Sequence, residues 1–385
     1  MNISIFKNCY GWGVCVISCP RKIIDMRLSK DGFYKPEITD HNKCNDCGIC
    51  LDVCAFNHKD LANSLNIDKL KSYGCWRKND NIRHECTTAG LGYEIAYSII
   101  KNGGKACVVK YNVSEHRAEH YVASNITDLE ASKGSKYIPS YTLPGFSQIC
   151  REKGKCLVVG LPCQIDSFRR YVRRYKQEDR YIMVDLLCYG VPSLILWRRY
   201  LSNVEKSVGE IKEVKFRSKH FGWHRSACME LCGDKKNLIQ EARDNLFYKL
   251  FFLDICLNKC CHGDCKYKLF SSSADIRIGD FWGDKYKHVD SGVNVIMSFT
   301  DKGDDVIEGL KDRCEFEPVS IQEACDKQMR SNAPAHKLLR GTVLWGIKHN
   351  IPLWLVYDIA YFCTRLMSPV ETFRKVKLRL SNIIH

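Results

Sequence analysis

No uninterrupted apolar run in this chain reaches the length of a bilayer-spanning helix, so the sequence predicts no transmembrane segment. The opening stretch also lacks the apolar core of a secretory signal: Met1 to Pro20 is broken up by cysteines. No helix-turn-helix, zinc-finger or RNA-binding signature is present, which argues against nucleic acid as a partner. Acidic side chains are in deficit, with 44 Asp and Glu against 59 Lys and Arg and a formal net charge of +15. A basic surface suits an anionic cofactor, an acidic protein or a membrane face, or is simply solvated. Thiolates held on metal would carry negative charge that this count omits. Disorder is excluded by a hydrophobic content of 45%, and 385 residues suffice for two or three domains.

What is abundant is cysteine, with 23 residues. In a secreted chain that number would point to disulfides. Here the spacings are those of metal ligands and no export signal is seen. The expectation is a reducing cytoplasm, with roughly half the thiols on iron and the rest buried as small apolar groups.

Cys44, Cys47, Cys50 and Cys54 are separated by two, two and three residues. This is the bacterial ferredoxin pattern. Its short spacers bend the chain around one cubane, and the longer last spacer sends the fourth thiol to a second cluster. Structural zinc is the rival, but zinc sites seldom use three cysteines this close together. Residues 1–60 hold a second copy, with Cys9, Cys15 and Cys19 before Pro20. With the fourth ligands crossed, one cubane takes Cys44, Cys47, Cys50 and Cys19, and the other takes Cys9, Cys15 and Cys54. The second copy is short of a thiol. The pattern calls for cysteine at position 12, and Trp12 stands there. Three readings stay open: a three-iron cluster, a four-iron cluster completed by water or another side chain, and a degenerate site filled by Trp12.

Residues 57–72 are polar and mixed and read as a linker. Beyond Cys86 the chain alternates. A threonine- and glycine-rich turn precedes a helix over 93–101, and strands follow at 106–111 and 121–123. The pattern then predicts a helix over 144–153, a strand over 155–160, a basic helix over 166–175, a strand over 181–187 and a helix over 194–208 capped by Ser193. Further strands are expected near 213–217, 227–231, 275–280 and 293–299, with helices at 246–257 and 304–311. Strands alternating with helices argue for a mostly parallel sheet. Cys163 and Cys188 follow two of these strands, where open α/β sheets bind ligands. The loop from Gly134 to Ser140 offers flexible backbone, hydroxyls and one cation, which suits a pyrophosphate or an ordinary surface.

Several motifs together resemble the coenzyme F420 hydrogenase/dehydrogenase beta-subunit family. They are Gly134-Ser135-Lys136-Tyr137 with Ser140, Gly160-Leu161-Pro162-Cys163-Gln164, Val184 to Ser193, Phe216-Arg217-Ser218-Lys219 with Gly222-Trp223, the segment from Cys261 to Lys268, and Ile278 to Gly283. The resemblance covers about residues 1–315 and leaves the tail outside. It implies a ferredoxin-type module over 1–60 joined to a mixed, mostly parallel α/β flavin-binding body. That body would have a first part over 73–155 and a C-terminal α/β domain over 156–327, followed by a helical basic tail over 328–385. It also implies FAD, with iron–sulfur clusters supplying single electrons. FAD would lie near Gly134, Ser135, Lys136, Tyr137, Ser140, Lys219 and His220, with Lys136, Lys219 and His220 holding an anionic group. A further four-iron cluster would use Cys163, Cys188, Cys261 and Cys265. The family commonly separates the last pair by two residues and this chain by three, so Cys260 or Cys261 is the ligand. Asp280 and His220 are the candidates for proton transfer, and no catalytic residue is assigned.

The family includes enzymes that reduce the deazaflavin coenzyme F420, chlorophyll-derivative reductases, and bacterial members encoded among surface-polysaccharide genes. Only the redox core therefore carries over. The expected activity is an iron–sulfur flavoprotein oxidoreductase acting on a small-molecule acceptor, fed by an electron-donor protein such as ferredoxin or a component of a redox complex. The alternative is a non-catalytic electron-transfer subunit. Apolar and aromatic residues from Ile351 to Met367, followed by Arg374, Lys375, Lys377 and Arg379, suit a helix docked on the body, a contact with another subunit or a peripheral membrane contact.

Overall fold

Successive residues of the short apolar runs at 156–160 and 181–186 are buried on opposite sides, as in strands covered on both faces. Leu157 and Val184 join one apolar cluster, while Cys156, Val158 and Met183 join another. A computed structural model describes all residues except 7, 64–65, 224–226, 264, 330 and 367–385. Its strands, in chain order, are β1 (Ile24–Leu28), β2 (Tyr34–Ile38), β3 (Lys71–Arg77), β4 (Lys105–Asn112), β5 (Arg117–Ala123), β6 (Ser140–Tyr141) and β7 (Cys156–Gly160). They continue with β8 (Tyr181–Leu186), β9 (Ile211–Lys215), β10 (Cys228–Gly233), β11 (Asn237–Glu241), β12 (Ile276–Asp280), β13 (Asn294–Ser298) and β14 (Cys314–Pro318).

Nine of them form one sheet in the order β14-β3-β13-β12-β8-β7-β4-β5-β6. Its middle, β12-β8-β7-β4, is parallel. Beyond it, β13, β3, β14 and β5 add in antiparallel fashion. Helix Leu91–Lys101 covers one face through Ile95 and Ile100, and helices Leu143–Ile149 and Pro162–Arg174 cover the other through Phe146, Ile165 and Phe168. The body is thus a mixed α/β sandwich with a parallel core, as the alternation of elements implied.

A second core lies to the side. Helix Leu194–Val208, the antiparallel sheet β11-β10-β9 and helix Leu246–Phe251 pack there around Trp197, Phe216 and Phe247. The described part of the tail, helix Lys337–Lys348 and helical residues 353–366, docks on this core through Val343, Leu344, Ile347 and Val356. Its other face leaves Trp345, Trp354 and Phe362 exposed. The basic cluster from Arg374 to Arg379 lies outside the described residues. No helix among the described residues is long and apolar enough to cross a membrane.

The structure departs from the sequence reading in several places. The stretches 73–155 and 156–327 share one sheet, because β3 and β4 hydrogen-bond to β13 and β7 from the later stretch. β3 begins inside the expected linker. Its Gly74 lies under Tyr286, whose hydroxyl would stand 2.7 Å from an added Cβ. The helix expected from Asp166 starts four residues earlier, with Pro162 in its first turn and the Gln164 side chain accepting from Leu161 N at 2.7 Å. The helix expected over 246–257 ends at Phe251.

Candidate metal centre

The first module is a two-stranded hairpin, β1–β2, flanked by short helices Val14–Ser18 and Ile49–Asp52. The two cysteine loops repeat each other in backbone. Gly11 and Asp46 both have positive φ, 83° and 52°, and the helix-preceding Gly13 and Gly48 have φ of 66° and 73°. Position 12 therefore holds the same place in its loop as Cys47 does in the other. An added Cβ at Gly11 would come within 2.5 Å of the Tyr34 carbonyl oxygen, so glycine is needed there for space as well as φ.

Cys19, Cys44, Cys47 and Cys50 line a single cavity walled by Ile24 and Ile38. Four thiols around one apolar hollow is the donor set a cubane takes. Asn2 Nδ2 lies 3.5 Å from Cys44 Sγ, the kind of N–H donor that stabilises a cluster sulfur. Cys9, Cys15 and Cys54 form a second group. Burial first, and then the charges of Cys9 and Cys54, push the Cys15 thiol well up. The Cys9 thiol is pushed up to about 12 by burial and then by Cys54. Buried thiols that oppose one another's ionisation ionise readily only with a compensating cation, which iron supplies.

A third group sits in the body. Cys163 opens the helix after β7 and Cys188 follows β8, at the carboxyl ends of neighbouring parallel strands. Cys261 and Cys265 come from the segment after helix Leu246–Phe251. Burial raises the Cys163 thiol, and the charges of Cys188, Cys265 and Cys261 raise it further. Of the adjacent pair, Cys261 joins this group. Cys260 turns elsewhere: after burial, Cys9 and Cys54 are the first sulfurs it feels. Among the described residues no three His, Cys, Asp or Glu converge on a single ion position. Thiolates of a cubane each bind a different iron, so they stand further apart than the ligands of one ion.

Polar contacts lock module and body together. Trp12 Nε1 donates to Cys163 Sγ at 2.8 Å, and Thr142 Oγ1 donates to the Trp12 carbonyl at 2.7 Å. Lys266 donates to the carbonyls of Ala55, His58 and Asp60 at 3.1, 3.0 and 2.7 Å. Tyr10, missed in the sequence reading, lies among Cys163, Cys265, Cys260 and Cys261, and burial followed by these sulfurs raises its pKa.

Ser135, Tyr137 and Lys219, three of the residues expected around FAD, share neighbours at the Thr87–Thr88 turn and at Asp280, the end of β12. Ser135 N donates to Thr87 Oγ1 at 2.8 Å, Arg217 contacts Tyr137 OH at 3.4 Å and pairs with Asp280, and Thr88 also donates to Asp280. Gly134 supplies the positive φ of its loop, and Ser140 accepts from Gln164 Nε2 at 3.0 Å. Half-buried Trp282 stacks on Trp223 at 5.7 Å and lies under the Arg217 guanidinium at 4.8 Å.

The two lysines expected to face an anion point at backbone instead. Lys136 Nζ donates to the carbonyls of Ser132 and Lys133, both at 2.9 Å, and Ala131 at 3.5 Å. Lys219 Nζ donates to those of Arg83, Thr88 and Ser291 at 2.6, 2.5 and 2.9 Å. An ammonium has three donors, and three carbonyls satisfy it. Both lysines fix loops around the crevice, while His220 is exposed at its rim. What these loops leave accessible near His220 is backbone and aromatic surface.

Residues 153–323 match the family model described as the C terminus of the coenzyme F420 hydrogenase/dehydrogenase beta subunit. Residues 8–58 match that of a 4Fe-4S dicluster domain. One subunit of the F(420)H(2) dehydrogenase of Methanosarcina mazei is 22% identical over 187 residues, which is 47% of this chain and 53% of that protein. The chain thus spans about half the length of this curated relative. A chain of the F420-reducing NiFe hydrogenase complex from Methanosarcina barkeri is similar with a TM-score of 0.47 and 16% identity, over 76% of this chain and 91% of that one. With paired cysteine loops in its first sixty residues and the beta-subunit motifs from Gly160 to Gly283, the chain carries a 4Fe-4S dicluster domain followed by a region that matches the C terminus of the coenzyme F420 hydrogenase/dehydrogenase beta subunit.

Proposed function

We propose that this chain is an iron–sulfur flavoprotein oxidoreductase that takes single electrons from a donor protein and delivers them to a small acceptor. The observation that carries this reading is the succession of thiol groups. One lines a cavity near the surface, a second lies behind it, and a third stands at the carboxyl ends of β7 and β8 beside the crevice. Cys19, Cys44, Cys47 and Cys50 would hold the entry cluster, and Cys163, Cys188, Cys261 and Cys265 the inner one. Bound FAD would supply the exchange between one-electron and two-electron chemistry.

The chain's own part is positioning. Gly134, Ser135, Tyr137 and Ser140 shape one wall of the crevice, and Lys136 and Lys219 hold its loops. Asp280 is engaged by Thr88 and Arg217 and acts as a positioning residue. His220, exposed at the rim, is the group that carries a proton to the acceptor. A groove lined by Lys30, Lys259, Lys337, Arg340 and Lys348 suits an acidic donor protein such as a ferredoxin. Oxygen-sensitive clusters and 23 free thiols suit a reducing cytoplasm. The acceptor class is a deazaflavin or an unsaturated intermediate of surface-polysaccharide assembly.

The exposed Trp345, Trp354 and Phe362 favour a second reading, in which this chain is an electron-transfer subunit whose partner covers that face. Anaerobic purification with iron, sulfide and released-flavin assays tests the first reading. Clusters with bound FAD and turnover of a small acceptor by the isolated chain support it. Clusters without flavin or turnover favour the second, and a colourless protein overturns both.

A further inference from the structure

The loop around position 12 keeps the backbone of a cluster-binding loop but has no thiol to offer. Trp12 turns its indole N–H to Cys163 Sγ, in the body's own thiol group. A fourth thiol for the Cys9, Cys15 and Cys54 group has to come from elsewhere in the chain.

Cys260 lies beside Cys9 and Cys54. It belongs to the 3-10 turn Lys259–Cys261, whose preceding Asn258 is the clamp. Asn258 Nδ2 donates to the Cys9 carbonyl at 3.2 Å, and Asn258 Oδ1 accepts from Cys260 N at 3.0 Å. One buried amide thus ties the backbone of Cys9 to that of Cys260, although Asn258 and Cys9 are 249 residues apart. Cys260 itself is 9% exposed. The charged neighbours it feels are, largest first, Cys9, Cys54 and Lys35 and then Cys265, and Cys9 in turn feels Cys54 and Lys35. Adjacent side chains on a three-residue turn diverge by about 120°. This is how Cys261 faces Cys163, Cys188 and Cys265 while Cys260 faces the module.

We infer that Cys260 is the fourth thiolate of the cluster held by Cys9, Cys15 and Cys54, supplied by the body in place of the cysteine that Trp12 displaced. The inference rests on the iron–sulfur reading above and adds a ligand to it. Each thiol gives up its proton on binding iron, so the site closes as a complete four-iron cluster. The consecutive residues Cys260 and Cys261 then join two clusters through one peptide bond, a covalent route for electrons from the module into the body. A module held by a body ligand also does not swing as a free carrier.

The test compares Mössbauer and electron paramagnetic resonance spectra, with iron and sulfide per chain, for the anaerobic parent, Cys260→Ala, Cys261→Ala and the double variant Trp12→Cys/Cys260→Ala. In the parent all iron belongs to four-iron clusters. Cys260→Ala converts one of them to a three-iron cluster, with a new signal in the oxidised protein and a loss of about one iron per chain. Cys261→Ala leaves that cluster intact and perturbs another. The double variant regains the four-iron spectrum, because position 12 retains the loop backbone of Cys47. A three-iron signal in the parent, or a Cys260→Ala spectrum identical to the parent's, overturns the assignment. If Cys260→Ala alone fails to fold, the double variant decides: a four-iron spectrum upholds the assignment and its absence overturns it. A parent without iron strikes the iron–sulfur reading instead.

Discussion

Trp12 and Cys163 are joined by an N–H···S hydrogen bond of 2.8 Å that crosses from the cysteine-rich module to the body. A donor aimed at a cluster sulfur favours the electron-rich, reduced cluster and raises its potential. Trp12→Phe keeps an aromatic, though smaller, side chain and removes the donor. The midpoint of the cluster proposed at Cys163 should fall by an amount on the order of tens of millivolts. A potentiometric titration followed by electron paramagnetic resonance reads this directly, and an unchanged midpoint would remove any tuning role for the indole.

The same pair shows where the sequence was readable. The run from Cys44 to Cys54 announced itself because its meaning is local. So did the helix Leu194–Val208, whose Ser193 hydroxyl accepts from Ile195 N at 3.2 Å. β3 was illegible because its partners β13 and β14 arrive more than two hundred residues later and nothing within Lys71–Arg77 signals them. The carbonyl partners of Lys136 and Lys219 were not legible, because a lysine in a glycine-bearing loop looks the same whether its ammonium meets a ligand or three carbonyls. Cys260 and Cys261 were inseparable in sequence, and only the turn that carries them sends their sulfurs in different directions.

Arg277 and Asp185 form an ion pair with no exposed surface, with N–O distances of 2.6 and 2.7 Å. Arg277 also donates to the carbonyls of Tyr267, Leu269 and Ser271, and Ser272 Oγ donates to Asp185. Arg277→Met strands a buried carboxylate and three acceptors just beneath the Cys188 loop. A loss of about 3–5 kcal/mol is expected, measured as a lower urea midpoint at unchanged slope. Replacing both residues by apolar ones should recover much of the loss, because the uncompensated charge is then gone.

His120 is buried between the sheet and Phe146, and its Nε2–H donates to the Val159 carbonyl at 3.1 Å. Burial lowers its pKa from 6.5 to about 4, against a smaller opposing effect of that carbonyl. The unfolded chain therefore takes up a proton near pH 6.5 that the folded chain refuses until about pH 4. Above 6.5 the residue adds no pH dependence. As pH falls from 6.5 to 4 stability is lost, by about 3 kcal/mol in all. Denaturation midpoints of His120→Gln should lack this share of the acid slope, and a variant with the parent's slope would place the titration elsewhere.

Asp166 is a hub between module, linker and body. It accepts from Ala62 N at 2.9 Å, Ser273 Oγ at 3.1 Å and Tyr267 OH at 2.5 Å, and pairs with Lys266 at 3.0 Å. Asp166→Asn keeps the size and removes the charge that holds Lys266, which itself grips the carbonyls of Ala55, His58 and Asp60. The linker around 55–62 should then open without global unfolding. Limited proteolysis should cut there several-fold faster than in the parent, and hydrogen exchange should rise in the same stretch while β7 and β8 stay protected.

Electron entry is the last expectation, and it turns on exposure. Cys47 is the one thiol of its group open to solvent, while Cys50 beside it is buried. A protein donor docks from outside and reaches the chain where a cluster comes nearest the surface. The body's group is more withdrawn, since Cys163, Cys188, Cys261 and Cys265 are each at most half-exposed and Tyr10 and Trp12 pack against them. Electron transfer decays steeply with distance, so in the proposed arrangement the outer cluster would serve as a relay and the inner one would not be reached directly. Cys47→Ser damages the relay alone. Reduction of the inner cluster by a reduced ferredoxin, followed by stopped-flow absorbance, should slow at least tenfold. A small diffusible reductant, which needs no docking site, should still reduce it at nearly the parent's rate. Equal slowing with both reductants would mean that the inner cluster itself was disturbed, and no slowing with ferredoxin would move the entry point away from Cys47.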